Sequence, residues 1–325
     1  MAHVTQPASI APGEASASPL PLCVDLDGTL IHSDLLWESL AVLLRRNPLF
    51  IFLVPVWLAQ GRAHLKREVA KRATVDPALL PYNGALLEYL RAEKGRGRRL
   101  VLASASDRAL VEKVAVHTGL FDEVLASDGH TNLRGPAKCA ALEKQFGRGG
   151  FDYAGNSSVD IPVWAGAKHA IVVNAPRSLA AKMRDGGKVT AEFAGPPQPL
   201  LAAWQALRPH QWVKNLIVFV PVLTSHNLRN AAVMKESLLA FAAFCLFASG
   251  VYVVNDLFDL AADRQHANKR HRPLASGRLY LPYAFIGAPT LLAAPLAFSL
   301  VLLPQFALVL LGYGVLALAY TMALK

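Results

Sequence analysis

Apolar positions are distributed differently in the two halves of the chain. In the first half they come in short runs. Leu22-Cys23-Val24 and Arg99 to Ala103 read as strands, and about residues 33 to 80 carry a helical period that includes an unusually apolar run from Pro48 to Ala59. Twelve residues are too few to span a bilayer. Gly195-Pro196-Pro197-Gln198-Pro199 can continue neither a helix nor the interior of a sheet and reads as a linker, with an amphipathic lead-in helix over Leu200 to Leu207 (196–207 together). Beyond it the apolar runs lengthen. Leu216 to Leu223 is interrupted by Pro221, Leu238 to Val254 is a seventeen-residue run without a charge, and Leu279 to Leu324 is 46 residues without one. The last run is long enough for two helices turning near Pro304-Gln305. Four membrane helices are therefore expected over 208–325, forming an all-α transmembrane bundle. Residues 1–20, rich in Ala, Ser and Pro but with no basic start or apolar core, read as a disordered tail and not a signal peptide.

The second long run ends in Asn255-Asp256-Leu257-Phe258-Asp259-Leu260-Ala261-Ala262-Asp263. On a helix Asp256, Asp259 and Asp263 fall at i, i+3 and i+7, within an arc of about 60°, with Asn255 beside it. Acids at a helix end are often merely solvated, but three on one face at a membrane edge are expensive and point to function. Converging carboxylates repel unless a cation sits among them, and oxygen ligands with room for phosphate suit Mg²⁺. The expected chemistry is a metal-diphosphate site. Arg264 to Arg278 follows with five Lys/Arg and no acid, which is expected to keep that loop, both termini and the first half on the cytoplasmic side of the inner membrane.

With 33 Lys and Arg against 23 Asp and Glu the formal charge is +10. No aromatic-interleaved basic patch or zinc-finger spacing accompanies it, so nucleic acid is not an expected partner. Anionic lipid and phosphorylated substrates suit the placement of the charge better. Cys23, Cys139 and Cys245 are odd in number, far apart and form no CxxC, which supports neither a disulfide framework nor a zinc site.

The strand Leu22-Cys23-Val24 runs into Asp25-Leu26-Asp27-Gly28-Thr29-Leu30, delivering two carboxylates to its C-terminal end. This DxDGT pattern resembles motif I of the haloacid dehalogenase (HAD) phosphatase superfamily. Ser104, Lys138 after Gly135-Pro136, and Phe151-Asp152-Tyr153-Ala154-Gly155-Asn156-Ser157-Ser158-Val159-Asp160 match its later motifs in order. The resemblance implies an α/β HAD-like fold over 21–195, a Rossmannoid parallel sheet with a helical cap at about 33–80. It also implies an aspartyl-phosphate on Asp25, acid-base work by Asp27, phosphate contacts from Thr29, Ser104 and Lys138, and Mg²⁺ held by Asp25, Asn156 and Asp160. Asn156 stands where the family pattern has an acid, which predicts weaker metal binding. The apolar side of the cap is expected to lie buried over the site. The alternative is a cap that touches the membrane or a lipid substrate, flanked by Arg45, Arg46, Arg62, Lys66, Arg67, Lys71 and Arg72.

In the second half, NDxxDxxxD with Arg208-Pro209-His210-Gln211-Trp212-Val213-Lys214-Asn215 upstream and KRxRPLASG downstream resembles the UbiA-type intramembrane prenyltransferase superfamily, nearest its polyprenyl-phosphate phosphoribosyltransferase branch. That resemblance implies Mg²⁺-diphosphate held by Asn255, Asp256, Asp259 and Asp263, with Lys214, Asn215, Lys269 and Arg272 as phosphate contacts. It also implies a polyprenyl lipid and a phosphorylated sugar or prenyl diphosphate as substrates. The family has a second acidic motif, and a chain ending at Lys325 is expected to be a fragment holding half the ligands. Two rival readings stand beside it: a membrane-anchored phosphatase with non-catalytic helices, and prenyl transfer to an aromatic acceptor.

Overall fold

The computed structural model describes residues 19–128, 131–196 and 199–323. The tail expected at residues 1–20 lies almost wholly outside the described residues. Six short strands, β1 (Leu22–Val24), β2 (Leu100–Asp107), β3 (Glu123–Ser127), β4 (Asp152–Gly155), β5 (Ala170–Val173) and β6 (Val189–Phe193), form one all-parallel sheet in the order β3-β2-β1-β4-β5-β6. Because side chains alternate along a strand, Leu22 and Val24 enter the core on one face while Cys23 enters the core on the other. Both faces are covered, hence continuous apolar runs in β1 and β5 instead of an apolar-polar alternation. The strand order reverses between β1 and β4, so their C-terminal ends border the crevice where open parallel sheets hold ligands.

Between β1 and β2 the chain builds a helical cap from α1 (Leu35–Arg46), a 3₁₀ turn (Pro48–Phe52), α2 (Val54–Ala59) and α3 (Arg62–Arg72), then returns through α4 (Gly84–Gly95). Asp34 starts α1 by accepting from the backbone N–H groups of Leu36 and Trp37 at 2.9 and 3.4 Å. Helices α5 (Arg108–Thr118), α6 (Pro136–Phe146), α7 (Ile161–Gly166) and α8 (Arg177–Asp185) connect the remaining strands. The cap corrects one expectation. Of the run Pro48–Ala59 only Trp57 is buried, and Leu49, Ile51, Phe52, Leu53, Val56 and Leu58 are exposed. The run divides ahead of Pro55 into a 3₁₀ turn and a six-residue helix, and only Trp57 of the second piece turns inward.

The second half is helical: α9 (Pro199–Ala206), a 3₁₀ stretch (Pro209–Phe219), α10 (Val220–Thr224), α11 (Ala231–Phe258), α12 (Leu260–Gln265), α13 (Leu281–Leu302) and α14 (Pro304–Ala323). Among the described residues three helices are long and apolar enough to cross a membrane: Ala231–Phe258, Leu281–Leu302 and Pro304–Thr321. The fourth span expected at Leu216–Leu223 is not formed. That segment is divided between the 3₁₀ stretch and the five-residue α10, with Pro209 and Pro221 preventing one continuous ladder.

Cap helix α1 joins the two halves. Arg264 donates to both oxygens of Glu38, at 2.9 and 2.7 Å, and Ser33 also donates to that carboxylate. Arg45 donates to the carbonyl of Phe258 at 2.9 Å, and the rings of Trp37 and Phe285 lie 4.9 Å apart. Gly277, at φ +72°, lets the loop between α12 and α13 close on the sheet half, because a Cβ there would meet the Cβ of His32 at 2.6 Å. The Arg264 and Glu38 side chains are 8% and 3% exposed, so removing one partner strands a buried charge. Arg264→Ala is expected to cost about 3–5 kcal/mol of stability. Arg264→Met paired with Glu38→Leu should regain most of it, as read from thermal unfolding in detergent.

Candidate active sites

The first site lies at the C-terminal ends of β1 and β4. Asp25 leaves β1 and is buried; one oxygen accepts from Lys138 Nζ at 2.5 Å and the other from Thr29 Oγ1 at 3.1 Å. Burial pushes its carboxyl up to about 7, with Lys138 opposing and Asp160 and Asp27 assisting. Burial also works against the charge on Lys138, but Asp25 and Asp160 outweigh it and hold the ammonium above its ordinary value. Lys138 donates on to Tyr153 Oη at 3.0 Å, and that hydroxyl donates to Asp160 at 2.8 Å. The second oxygen of Asp160 accepts from the backbone N–H groups of Asn156 and Ser157, at 3.1 and 3.0 Å. Asp160 therefore closes the turn after β4 with both oxygens engaged.

Asp27 sits one turn further, accepting from the Leu35 N–H at 2.8 Å and from the hydroxyls of Ser104 and Ser106 at 3.2 and 2.7 Å. Ser104, where the register of β2 shifts, thus faces the carboxylate of Asp27. Gly28 adopts φ +77°, and a Cβ on it would lie 2.2 Å from the Asn156 side-chain nitrogen, so the amide of Asn156 lies directly over the DxDGT turn. Asn174 secures that turn from the end of β5 by donating to the Gly28 carbonyl at 2.8 Å.

Several members of this site were not among the expected residues. Ser106 is two residues past Ser104. Lys66 reaches from α3 to the Ala105 carbonyl at 2.5 Å, where burial lowers its ammonium pKa against the pull of Asp27 and Asp34. A cavity of about 10 Å³ lies between Ser39 and Lys66 of the cap and Ser106 of the sheet, room for at most one water. Ser39 Oγ is buried with no hydrogen-bond partner. Asp34, pushed up to about 7 by burial, accepts from Tyr280 of the membrane half at 3.4 Å. Spacing within the DxDGT motif carries no signal for residues brought in from α3 or from 246 positions away.

The second site is the end of α11. Asp256 and Asp263 are buried, and Arg272 bridges them at 3.1 and 2.7 Å while Arg208 also pairs with Asp256. The α-helix stops at Phe258, but the ladder runs on from Asp259 N–H to Asn255 and from Asp263 N–H to Asp259, at 2.9 and 2.7 Å. The i, i+3, i+7 register therefore survives the break. The three carboxylates do not, however, face one another as a ligand set; among the described residues no three acidic, His or Cys side chains gather closely enough to hold a metal. Arg208, unforeseen as a contact, adopts φ +53° with its guanidinium 5.2 Å from the Tyr252 ring centroid.

The other expected phosphate contacts lie elsewhere. Asn255 accepts from Thr321 of α14, and Asn215 is buried with its amide 3.3 Å from Cys245 Sγ, eleven residues before Asp256. Lys214 is exposed, and Lys269 is half-buried in a short 3₁₀ turn of the loop. Of that set, Arg272 alone meets the acidic face through a described side-chain contact.

Comparison with known proteins follows the same division. Residues 49–164 match the family model for haloacid dehalogenase-like hydrolases, and residues 218–325 match the UbiA prenyltransferase family. The chain joins a HAD-like domain to a UbiA-type domain. It is similar to an uncharacterized protein, y4nM, of Sinorhizobium fredii, at 36% identity over 308 residues, covering 94% of this chain and 59% of that protein. It is also similar to decaprenyl-phosphate phosphoribosyltransferase of Mycolicibacterium smegmatis, at 39% identity over 137 residues, covering 41% of this chain and 43% of the relative. The chain thus spans less than two thirds of the length of these relatives. A substrate-bound phosphoserine phosphatase structure aligns at 15% identity and a TM-score of 0.39, over 55% of this chain and 94% of that one.

The HAD-UbiA chain depends at its first site on a glycine with no room for a side chain. Gly28→Ala, which combines a positive φ with a clash against Asn156, is expected to lower stability by about 1–3 kcal/mol. The check is thermal unfolding beside Gly97→Ala, where φ is also positive (+78°) but nothing lies within 4 Å.

Proposed function

We propose that the chain belongs to a cytoplasm-facing membrane enzyme that performs two consecutive steps on a polyprenyl carrier. In the first, the phosphate oxygen of a polyprenyl phosphate attacks C1 of a phosphoribosyl diphosphate; the C1–O bond breaks and pyrophosphate leaves. In the second, the HAD-like half hydrolyses the remaining 5-phosphate, with Asp25 as nucleophile and Asp27 as acid and base.

One loop supports this pairing. Arg272, between α12 and α13, holds Asp256 and Asp263, and five and eight residues later Gly277 packs on His32 and Tyr280 reaches Asp34 beside the DxDGT turn. The two sites are therefore connected through nine residues of chain.

The oxygen donors at the first site suit Mg²⁺: Asp25 and the amide of Asn156 lie on neighbouring strand ends and would hold it, and it would offset the charge of the phosphate. At the second the acidic side chains of α11 are not gathered as a ligand set, and Asp256 and Asp263 are met by arginines instead. In the second site Arg272 and Arg208 now supply the positive charge, and a diphosphate gives them an anionic partner in place of the carboxylates.

The arginine pairing also favours a second reading. Asp256 and Asp263 could be permanently neutralised structural acids in a membrane-anchored phosphatase. The two readings part in membranes that contain the full-length protein. With phosphoribosyl diphosphate and polyprenyl phosphate, Asp256→Asn is expected to reduce sugar transfer to lipid by at least about 100-fold, and Asp25→Asn to leave transfer intact while phosphate release from the lipid product falls as far. Chelating Mg²⁺ should stop phosphate release. Unchanged lipid labelling in Asp256→Asn would leave the anchored phosphatase. Phosphate release that survives Asp25→Asn would remove the second step.

A further inference from the structure

The tip of the cap carries apolar side chains that nothing in the described structure covers. Leu49 and Phe52 are 66% and 73% exposed, and Ile51, Leu53, Val56 and Leu58 are each more than 40% exposed, all within ten consecutive positions. A patch of this kind on a water-facing surface is unfavourable and marks a site of association.

The tip is held firmly and at a definite height. Trp57, from the same run, is buried among Leu40, Leu43, Leu65 and Val69, and Phe285 of α13 packs against that cluster. The Arg72 guanidinium covers the Trp57 ring at 5.0 Å, and Arg45, at the base of the tip, donates to the carbonyl of Phe258 where α11 ends. Phe285 is four residues into Leu281–Leu302, about 6 Å along the helix from its first residue. The tip is thus tied to the first turns of one spanning helix and to the last turn of another. On those turns of α13, Tyr283 and Ile286 are 66% and 65% exposed.

The charge pattern matches the same level. The run itself has no charge, whereas Arg45, Arg46, Arg62 and Lys71 are exposed around its base. Exposed apolar residues ringed by cations, on a segment too short to span, suit the headgroup and upper acyl region of a leaflet that contains anionic lipid. We propose that residues 48–59 insert into the bilayer interface beside α13, so that the cap of the HAD-like half is itself a membrane-bound element. A cap pinned in this way holds its site at the lipid surface, and motion of the cap is coupled to the membrane.

The test uses the full chain reconstituted in phosphatidylcholine–phosphatidylglycerol vesicles, with a nitroxide on Phe52→Cys in a Cys139→Ser background and on Val116→Cys as a reference. Val116 lies on α5 of the sheet half and is 83% exposed. Power saturation should show the label at position 52 relaxed more by molecular oxygen than by a water-soluble nickel chelate, with the order reversed at position 116. Nickel access at 52 equal to that at 116 would place the tip in water and overturn the proposal. Shielding of position 52 from both reagents would overturn it too, by placing the tip against protein, either a second copy or another segment. Replacing phosphatidylglycerol by phosphatidylcholine should shift position 52 toward nickel access; no shift would remove the anionic-lipid part.

Discussion

The buried ion pair between Glu38 and Arg264 ties cap helix α1 to α12 and the loop that follows it. It is bidentate, almost without solvent, and links residues 226 positions apart. Such a pair gives geometric definition more than net stability, because desolvation offsets much of the Coulomb gain. What it defines here is the position of α1. That helix begins beside the DxDGT turn and ends beside the last turn of α11, with Asp34 at one end and Arg45 at the other. Arg264 also donates to the Ala275 carbonyl at 3.0 Å, which fixes the basic loop in the same contact. One guanidinium thus meets cap, loop and membrane helices, and the contacts of Arg45, Trp37 and Tyr280 support the same arrangement.

Both candidate sites follow one electrostatic rule. A carboxylate is buried, and a cation from another element is brought to it: Lys138 from α6 to Asp25, and Arg272 from the loop to Asp256 and Asp263. An unpaired buried carboxylate would give up its charge instead. The pairing keeps anionic chemistry available in low dielectric and leaves a cation that can turn to an arriving phosphate. In the first site Lys138 continues through Tyr153 to Asp160, so that three motifs on three segments are joined by hydrogen bonds. In the second the arginines lie on segments flanking α11 in sequence, and the site is assembled only when both fold back on that helix.

Much of this was legible in the sequence, and the parts that were not share a cause. The DxDGT turn, Ser104, Lys138, the acidic register of α11 and the long apolar helices can be read because each is local: a period, a spacing, or a strand leading to a polar end. The α13–α14 turn at Leu303 and Pro304 falls where the charge-free run predicted it. Leu216–Leu223 is apolar enough for a span, but hydropathy does not show that the segment divides between a 3₁₀ stretch and a short helix at Pro221. A period of apolar positions in the cap says that a face exists but not what covers it. Lys66 and Tyr280 carry no local signal, since their roles depend on contacts across the sheet-cap and cap-membrane boundaries, and the spacing around Ser106 and Arg208 does not show that they reach Asp27 and Asp256.

The Glu38–Arg264 pair makes the cap and the basic loop one cooperative unit across the two halves, and hydrogen-deuterium exchange of the full-length protein in lipid nanodiscs reads out that coupling. Amides of Leu40 to Arg46 and of Arg272 to Leu279 should exchange slowly and with similar protection in the native chain, and both sets should accelerate together in Glu38→Gln. Rapid exchange of α1 in the native protein, or acceleration of one set without the other, would show that cap and loop are not coupled.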